Sequence, residues 1–173
     1  MGTQTAPEYE GDERGERYWG RGLRGKLLGV IPLVGSPRSV ARAREYVRGK
    51  LGDDHPALGD VILLVSELVT NSVVHSKSRD GGRVTLALAD CHDRIHVDVV
   101  DEGGDFVPHV DLDGFAEGGR GLFLVEAISD RWGVHTDDKG RTVWFQVLYR
   151  RRDATGCDDR QASEEHSVRH RRT

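Results

Sequence analysis

Two polar side chains stand out in the stretch VILLVSELVTNSVVHS (61–76): a carboxylate at Glu67 and an amide at Asn71, one helical turn apart. The rest of the stretch reads as a helix packed on a core. Polar groups on such a face are costly to bury unless something pairs with them. Two readings are open. The pair sits at the edge of the apolar face and bonds solvent or a neighbouring loop, or it serves a ligand.

Two glycine-bearing stretches can do related chemistry. In VVDEGGDFVP (99–108) a strand ends in Asp101 and the chain leaves through Gly103 and Gly104. A carboxylate fixed at a strand end accepts a hydrogen bond from an exocyclic amine, and glycines let a flat ring approach the backbone. The plainer reading is an ordinary strand-to-turn exit, since Asp and Gly favour turns. In EGGRGLFLV (117–125) glycines immediately precede a helical pattern. Backbone N–H groups at a helix start can hold phosphate oxygens; a flexible loop entering a helix is the alternative. A third stretch, GRGLRGKL (20–27), matches G-x-G-x-x-G and most of G-x-x-x-x-G-K. No strand precedes it, no clear helix follows, and Leu27 stands where a magnesium-binding hydroxyl is needed, so it carries no phosphate site.

The elements expected to position these residues follow from periodicity. LLGVIPLV (27–34) is a short apolar strand, near an edge because Pro32 cannot donate to a ladder. A helix follows, with Ser36 as N-cap, Pro37 at its first position and Gly52 as its stop. The second helix opens at Pro56, and Val61, Leu64, Val65, Leu68 and Ser72 form its inward stripe, with Glu67 and Asn71 along one flank. RVTLALAD and RIHVDVVD alternate with period two and form an antiparallel hairpin around Cys91–Asp93. GRGLFLVEAISD is a third helix. RWGVHTDD and RTVWFQVLY are two further strands around Lys139–Gly140. The pattern predicts an α+β two-layer sandwich, helices on one face of a mixed, mostly antiparallel sheet.

The chain has 173 residues, 36% hydrophobic and 31% charged, with a formal net charge of −4. One domain is expected, its core within residues 29–149, long enough to enclose a hydrophobic interior. Residues 1–28 are rich in Gly, Arg and Glu, and residues 150–173 hold a single aliphatic larger than alanine, Val168. Both are expected to be disordered tails. Interleaved charge of this kind does not suggest a nucleic-acid binder. Cys91 and Cys157 are too few and too distant for a disulfide framework or zinc site, which fits reduced thiols. No run of the length a membrane span needs is expected, nor the apolar segment of a signal peptide, so a cytoplasmic location is the expectation.

Taken in order, the Glu67/Asn71 helix, the D-x-G strand end, the glycine loop opening a helix and KGRTVWF resemble the GHKL ATP-binding fold. The likeness is strongest to its small stand-alone members, the anti-sigma-factor serine/threonine kinases, and covers residues 29–149. It implies that ELVTNSVVH is an N-box, with Asn71 ligating Mg²⁺ and Glu67 acting as general base. It implies that DEG is the first glycine box, making Asp101 the adenine-reading carboxylate and Gly103 its close-approach partner. GGRGLFLV is similar to the second, which sets Gly119, Arg120, Gly121 and Leu122 beside the phosphates. Thr142 corresponds to a threonine that supports adenine through its hydroxyl. The pattern departs at D-x-G-x-G, where Gly104 adjoins Gly103 and Asp105 takes the later position. His75 reads as structural, because a phospho-accepting histidine needs a separate dimerisation helix pair.

On this likeness the polar pair has a purpose. Mg²⁺ on a triphosphate prefers hard oxygen ligands, often one or two from protein. The Asn71 amide oxygen supplies one without adding charge near the phosphates, and Glu67 shares its flank, facing an incoming hydroxyl.

The resemblance implies ATP and Mg²⁺ as cofactors. It implies transcription regulation by partner switching: the domain holds a sigma factor, and an antagonist protein is inactivated by phosphorylation on Ser or Thr. Homodimers are usual in the resembling family; direct nucleic-acid or membrane contact is not expected. A binding module gated by nucleotide, with little phosphoryl transfer, is the competing reading, and intact Glu67 favours the enzyme. Arg38, Arg42, Arg44 and Arg48 form a basic stripe on the first helix, either a solvated wall or a surface for acidic residues of a sigma factor.

Overall fold

A computed structural model describes residues 17–19, 23–78, 80–104, 120–138 and 140–149. Its elements run β1 (Arg17–Trp19), β2 (Leu23–Val34), α1 (Arg38–Leu51), α2 (Leu58–His75), β3 (Arg83–Asp90), β4 (Arg94–Asp101), α3 (Arg120–Ile128), β5 (Arg131–Asp137) and β6 (Gly140–Leu148). The strands form one sheet in the order β1-β2-β3-β4-β6-β5. The expected α+β two-layer architecture is present. Every pairing among the described strands is antiparallel, so no mixed segment occurs there.

The helices cover one sheet face because alternate strand residues present an apolar surface to them. Val97 faces Phe145 and Val99 faces Val143 across β4 and β6, and all four are buried. From α2, Val61, Leu64, Val65 and Leu68 meet this layer, and Ser72 continues the same buried stripe, as the periodicity predicts. Full burial of each Val or Leu contributes about 1.5–3 kcal/mol, so this layer dominates the stabilising side. By length and composition alone α2 could cross a membrane. Its apolar stripe is instead consumed by the sheet, and the expectation that no run reaches that length is corrected. Leu122 and Val125 of α3 and Val47 of α1 complete the core.

Several boundaries differ from expectation. β2 begins at Leu23, with Lys26 and Leu27 paired to Asp90 and Ala89, and β1 pairs with its first residues. Part of the expected N-terminal tail therefore lies in the sheet. A charged strand edge carries little apolar signal, which is why composition missed it. Pro32 does lie on an exposed border, opposite Thr85. Pro37, not Ser36, occupies the cap position of α1, and no side-chain cap bond is made; Ser36 supplies a carbonyl to the Ser39 N–H instead. Gly52 ends α1 with φ 83°, as expected. α2 starts at Leu58, after a turn that includes Pro56.

The basic stripe on α1 is only partly available. Arg44 donates its Nε to Ser66 Oγ at 2.7 Å and Arg48 faces Asp53 at 3.3 Å, whereas Arg38 and Arg42 are exposed. Cys91 is buried, and burial pushes its thiol up to about 11, so it is a poor nucleophile near neutrality. Cys157 and the expected C-terminal tail lie outside the described residues.

Candidate functional site

The site forms where α2 crosses the end of β4 and the start of α3. Asp101 is the last residue of β4, and its side chain is 1% exposed. Ser72 of α2 donates its hydroxyl to Asp101 Oδ2 at 2.8 Å. The backbone N–H of Gly103 donates to Oδ1 at 2.8 Å, closing a tight turn in which Gly103 has φ 72°. That φ disfavours a side chain, so glycine suits the exit from the strand. The Gly103 carbonyl accepts from the Lys77 N–H at 2.6 Å, tying the turn to the segment after α2.

Asn71 precedes Ser72 and is half-buried, like Glu67 one turn earlier. Asn71 abuts the start of α3: a methyl at Gly121 would lie 2.5 Å from Asn71 Nδ2. Glycine there lets the amide reach the helix start, and any larger residue would push it aside. Leu122, the next residue, is 2% exposed and belongs to the core. Arg120 opens α3, and Gly119 lies outside the described residues. Thus α2 brings Asn71 to Gly121 and, through Ser72, to Asp101. His75 is exposed in the last turn of α2, where a basic residue complements the helix dipole.

Thr142 is not brought to Asp101. Residues directly opposite in an antiparallel pair share a sheet face. Asp101 pairs with Arg141, while Thr142 pairs with Val100 and His135. The Thr142 side chain therefore lies on the face away from the helices, with Trp144 and His96, whose rings stack at 5.8 Å. Its expected support of a base beside Asp101 is corrected on this register. The neighbour that does face Asp101 is Arg141. Its Nη2 donates to Asp101 Oδ2 at 2.7 Å, and its side chain is 5% exposed.

Ser72 and Arg141 are the site residues that sequence reasoning missed. Each had a signal. Ser72 is a hydroxyl at the C-terminal end of an otherwise apolar stripe. Arg141 has the same strand parity as Val143, Phe145 and Val147, which places a guanidinium on the core side.

A Mg²⁺–ATP complex fits these residues in kind. A half-buried amide stands against a glycine at a helix start, and a carboxylate stands beside Gly103, which carries no Cβ. Among the described residues no cluster of three or more His, Cys, Asp or Glu side chains could hold a metal ion. A magnesium ion here would take Asn71 Oδ1 and complete its shell with phosphate oxygens and water.

Comparisons with known proteins identify the family of this fold. Residues 33–147 match the family described as histidine kinase-like ATPase domain. A protein from Bacillus subtilis called serine-protein kinase RsbW is 32% identical over 110 residues, covering 56% of this chain and 68% of the relative. A relative of the same name from Listeria monocytogenes is 29% identical over 135 residues, covering 69% and 86%. The crystal structure of the RsbU and RsbW domains of a Mycobacterium tuberculosis protein aligns with a TM-score of 0.52 at 20% identity. That alignment covers 72% of this chain but 34% of the other, and the likeness is one of fold.

Proposed function

The chain belongs to the histidine kinase-like ATPase domain family, and from that premise we propose that it is an ATP-dependent serine/threonine protein kinase of the anti-sigma-factor type. The observation that carries the reading is the path of α2, which sets Asn71 against Gly121 while Ser72 holds Asp101. One helix thereby serves both ends of a nucleotide: the amide at the triphosphate, the carboxylate at the base. The RsbW relatives, named as serine-protein kinases, support the choice of acceptor chemistry.

In this reading Asp101 accepts from the adenine amine, and backbone N–H groups at the start of α3, where Gly121 stands, receive phosphate oxygens. Asn71 would hold a Mg²⁺ brought with the triphosphate, which would neutralise charge there. Glu67 takes the proton from a serine or threonine hydroxyl of a small antagonist protein. That oxygen bonds to the γ-phosphorus as the bond to the β–γ bridging oxygen breaks, and ADP leaves. The regulatory setting is a cytoplasmic partner switch, with a sigma factor as the captured partner and the antagonist as the phosphorylated one.

Incubating the purified chain with γ-labelled ATP and candidate antagonists tests the proposal. Transfer of label to an antagonist Ser or Thr is expected. ATP binding with no transfer to any antagonist would identify a nucleotide-gated binding module instead.

A further inference from the structure

The Asp101 carboxylate is engaged by donors of the protein itself. A carboxylate offers about four lone-pair positions. Among the described residues, the Ser72 hydroxyl and Arg141 guanidinium take two on Oδ2, and the Gly103 N–H takes one on Oδ1. With the Asp101 side chain 1% exposed, no base edge reaches it until a neighbour moves. Ser72 is fixed in the buried stripe of α2. Gly103 donates from main chain tied to Lys77. Arg141 alone among these three donors sits on a long, rotatable side chain, one residue beyond Gly140, where β6 begins.

We propose that Arg141 is a latch on the base subsite: its guanidinium covers the Asp101 carboxylate, and a purine nucleotide binds only as that ion pair opens. The inference rests on the nucleotide-site reading given above and adds what sets the affinity of that site. The exocyclic amine of adenine replaces one N–H donor with another, so Asp101 remains satisfied. Arg141 regains water outside. If the open form is a fraction f of the population, the apparent Kd is the intrinsic value divided by f. Arg141 thereby lowers affinity in the resting protein without touching the phosphates or the acceptor. It acts through Asp101 and is a positioning residue that sets affinity, not a catalytic one.

Calorimetric titration of Mg-ATP into wild type, Arg141→Thr and Arg141→Met tests the latch. Threonine suits a strand, and methionine keeps much of the length without the charge. Both variants are expected to bind ATP about tenfold or more tightly than wild type, because the latched population is gone. Their unfolding midpoints without nucleotide fall, since breaking one side of a buried pair is destabilising. A merely structural arginine would lower the midpoint and leave affinity equal or weaker. That result overturns the latch.

A second measurement needs no variant to be stable. The guanidinium N–H resonance of Arg141 in wild type is expected to shift and exchange faster with solvent when ATP is added. A resonance unmoved at saturating ATP also overturns the latch. If wild type and variants alike bind no ATP, the nucleotide-site reading falls, and the latch with it. If wild type binds and the variants bind no tighter, that reading stands and the latch alone is wrong.

Discussion

The Ser72 hydroxyl donates to Asp101 Oδ2 across 2.8 Å, joining the inward stripe of α2 to the last residue of β4. Both groups are buried, so the bond is made in low dielectric and to a charged acceptor. Hydrogen bonds of that class contribute about 1.5–3 kcal/mol. Ser72→Ala is therefore expected to lower unfolding stability by about that amount in urea denaturation, while Arg141 and Gly103 still hold the carboxylate. A loss within experimental error of zero would mean that the bond is not made in solution.

Asn71 and Glu67 are expected to fail differently. Asn71→Ala removes the proposed magnesium ligand, so Mg-dependent ATP binding and phosphoryl transfer decline together. Glu67→Ala removes only the group that takes the acceptor proton, a contribution of about 10²–10⁴-fold in rate. ATP affinity barely moves, because the carboxylate touches neither base nor glycine turn. Parallel calorimetry and transfer assays on the two variants check the split. Wild-type transfer by Glu67→Ala would remove it from the base role, and unfolding of that variant would make it a structural residue.

The link between α1 and α2 predicts a pH dependence. His55 Nδ1 accepts the Ala57 N–H at 3.1 Å, and its ring meets Tyr149 edge-on at 4.6 Å. Burial holds its pKa below 6.5, against a smaller opposing pull from Asp90. The unfolded chain binds the proton more readily than the folded one. This contribution to stability is thus fully present above pH 6.5 and is lost as pH falls through 6.5 toward the lower folded value. Urea unfolding at about pH 7.5 and about pH 5.5 should show a larger acid loss for wild type than for His55→Asn. Equal losses would place the acid sensitivity elsewhere.

Much of this fold was legible because periodicity reports burial. The stripe from Val61 to Ser72 and the β3–β4 hairpin follow the expected pattern residue by residue, and the β5–β6 pair follows it with Gly140 in the strand rather than the turn. The Glu67–Asn71 flank was equally readable, since helical spacing fixes which residues share an edge. Register was not. Whether Arg141 or Thr142 faces Asp101 turns on a single-residue offset between β4 and β6, and such an offset exchanges the two sheet faces. Motif order pointed to the threonine; the pleat chose the arginine. The start of β2 was missed for a different reason. Residues 23–26 pair through backbone groups, which leave no mark on composition.

The central claim is that Asp101 reads the base of an adenine nucleotide. The variant Asp101→Asn is a poor test, because it strands the buried Arg141 charge and confounds binding with stability. The direct test is calorimetry on wild type with Mg-ATP and Mg-GTP under identical conditions. Guanine presents a carbonyl where adenine presents its amine, setting acceptor against acceptor at a loss of about 1–3 kcal/mol or more. ATP is predicted to bind about tenfold or more tightly than GTP. Equal affinities, or preference for GTP, would contradict the assignment of Asp101.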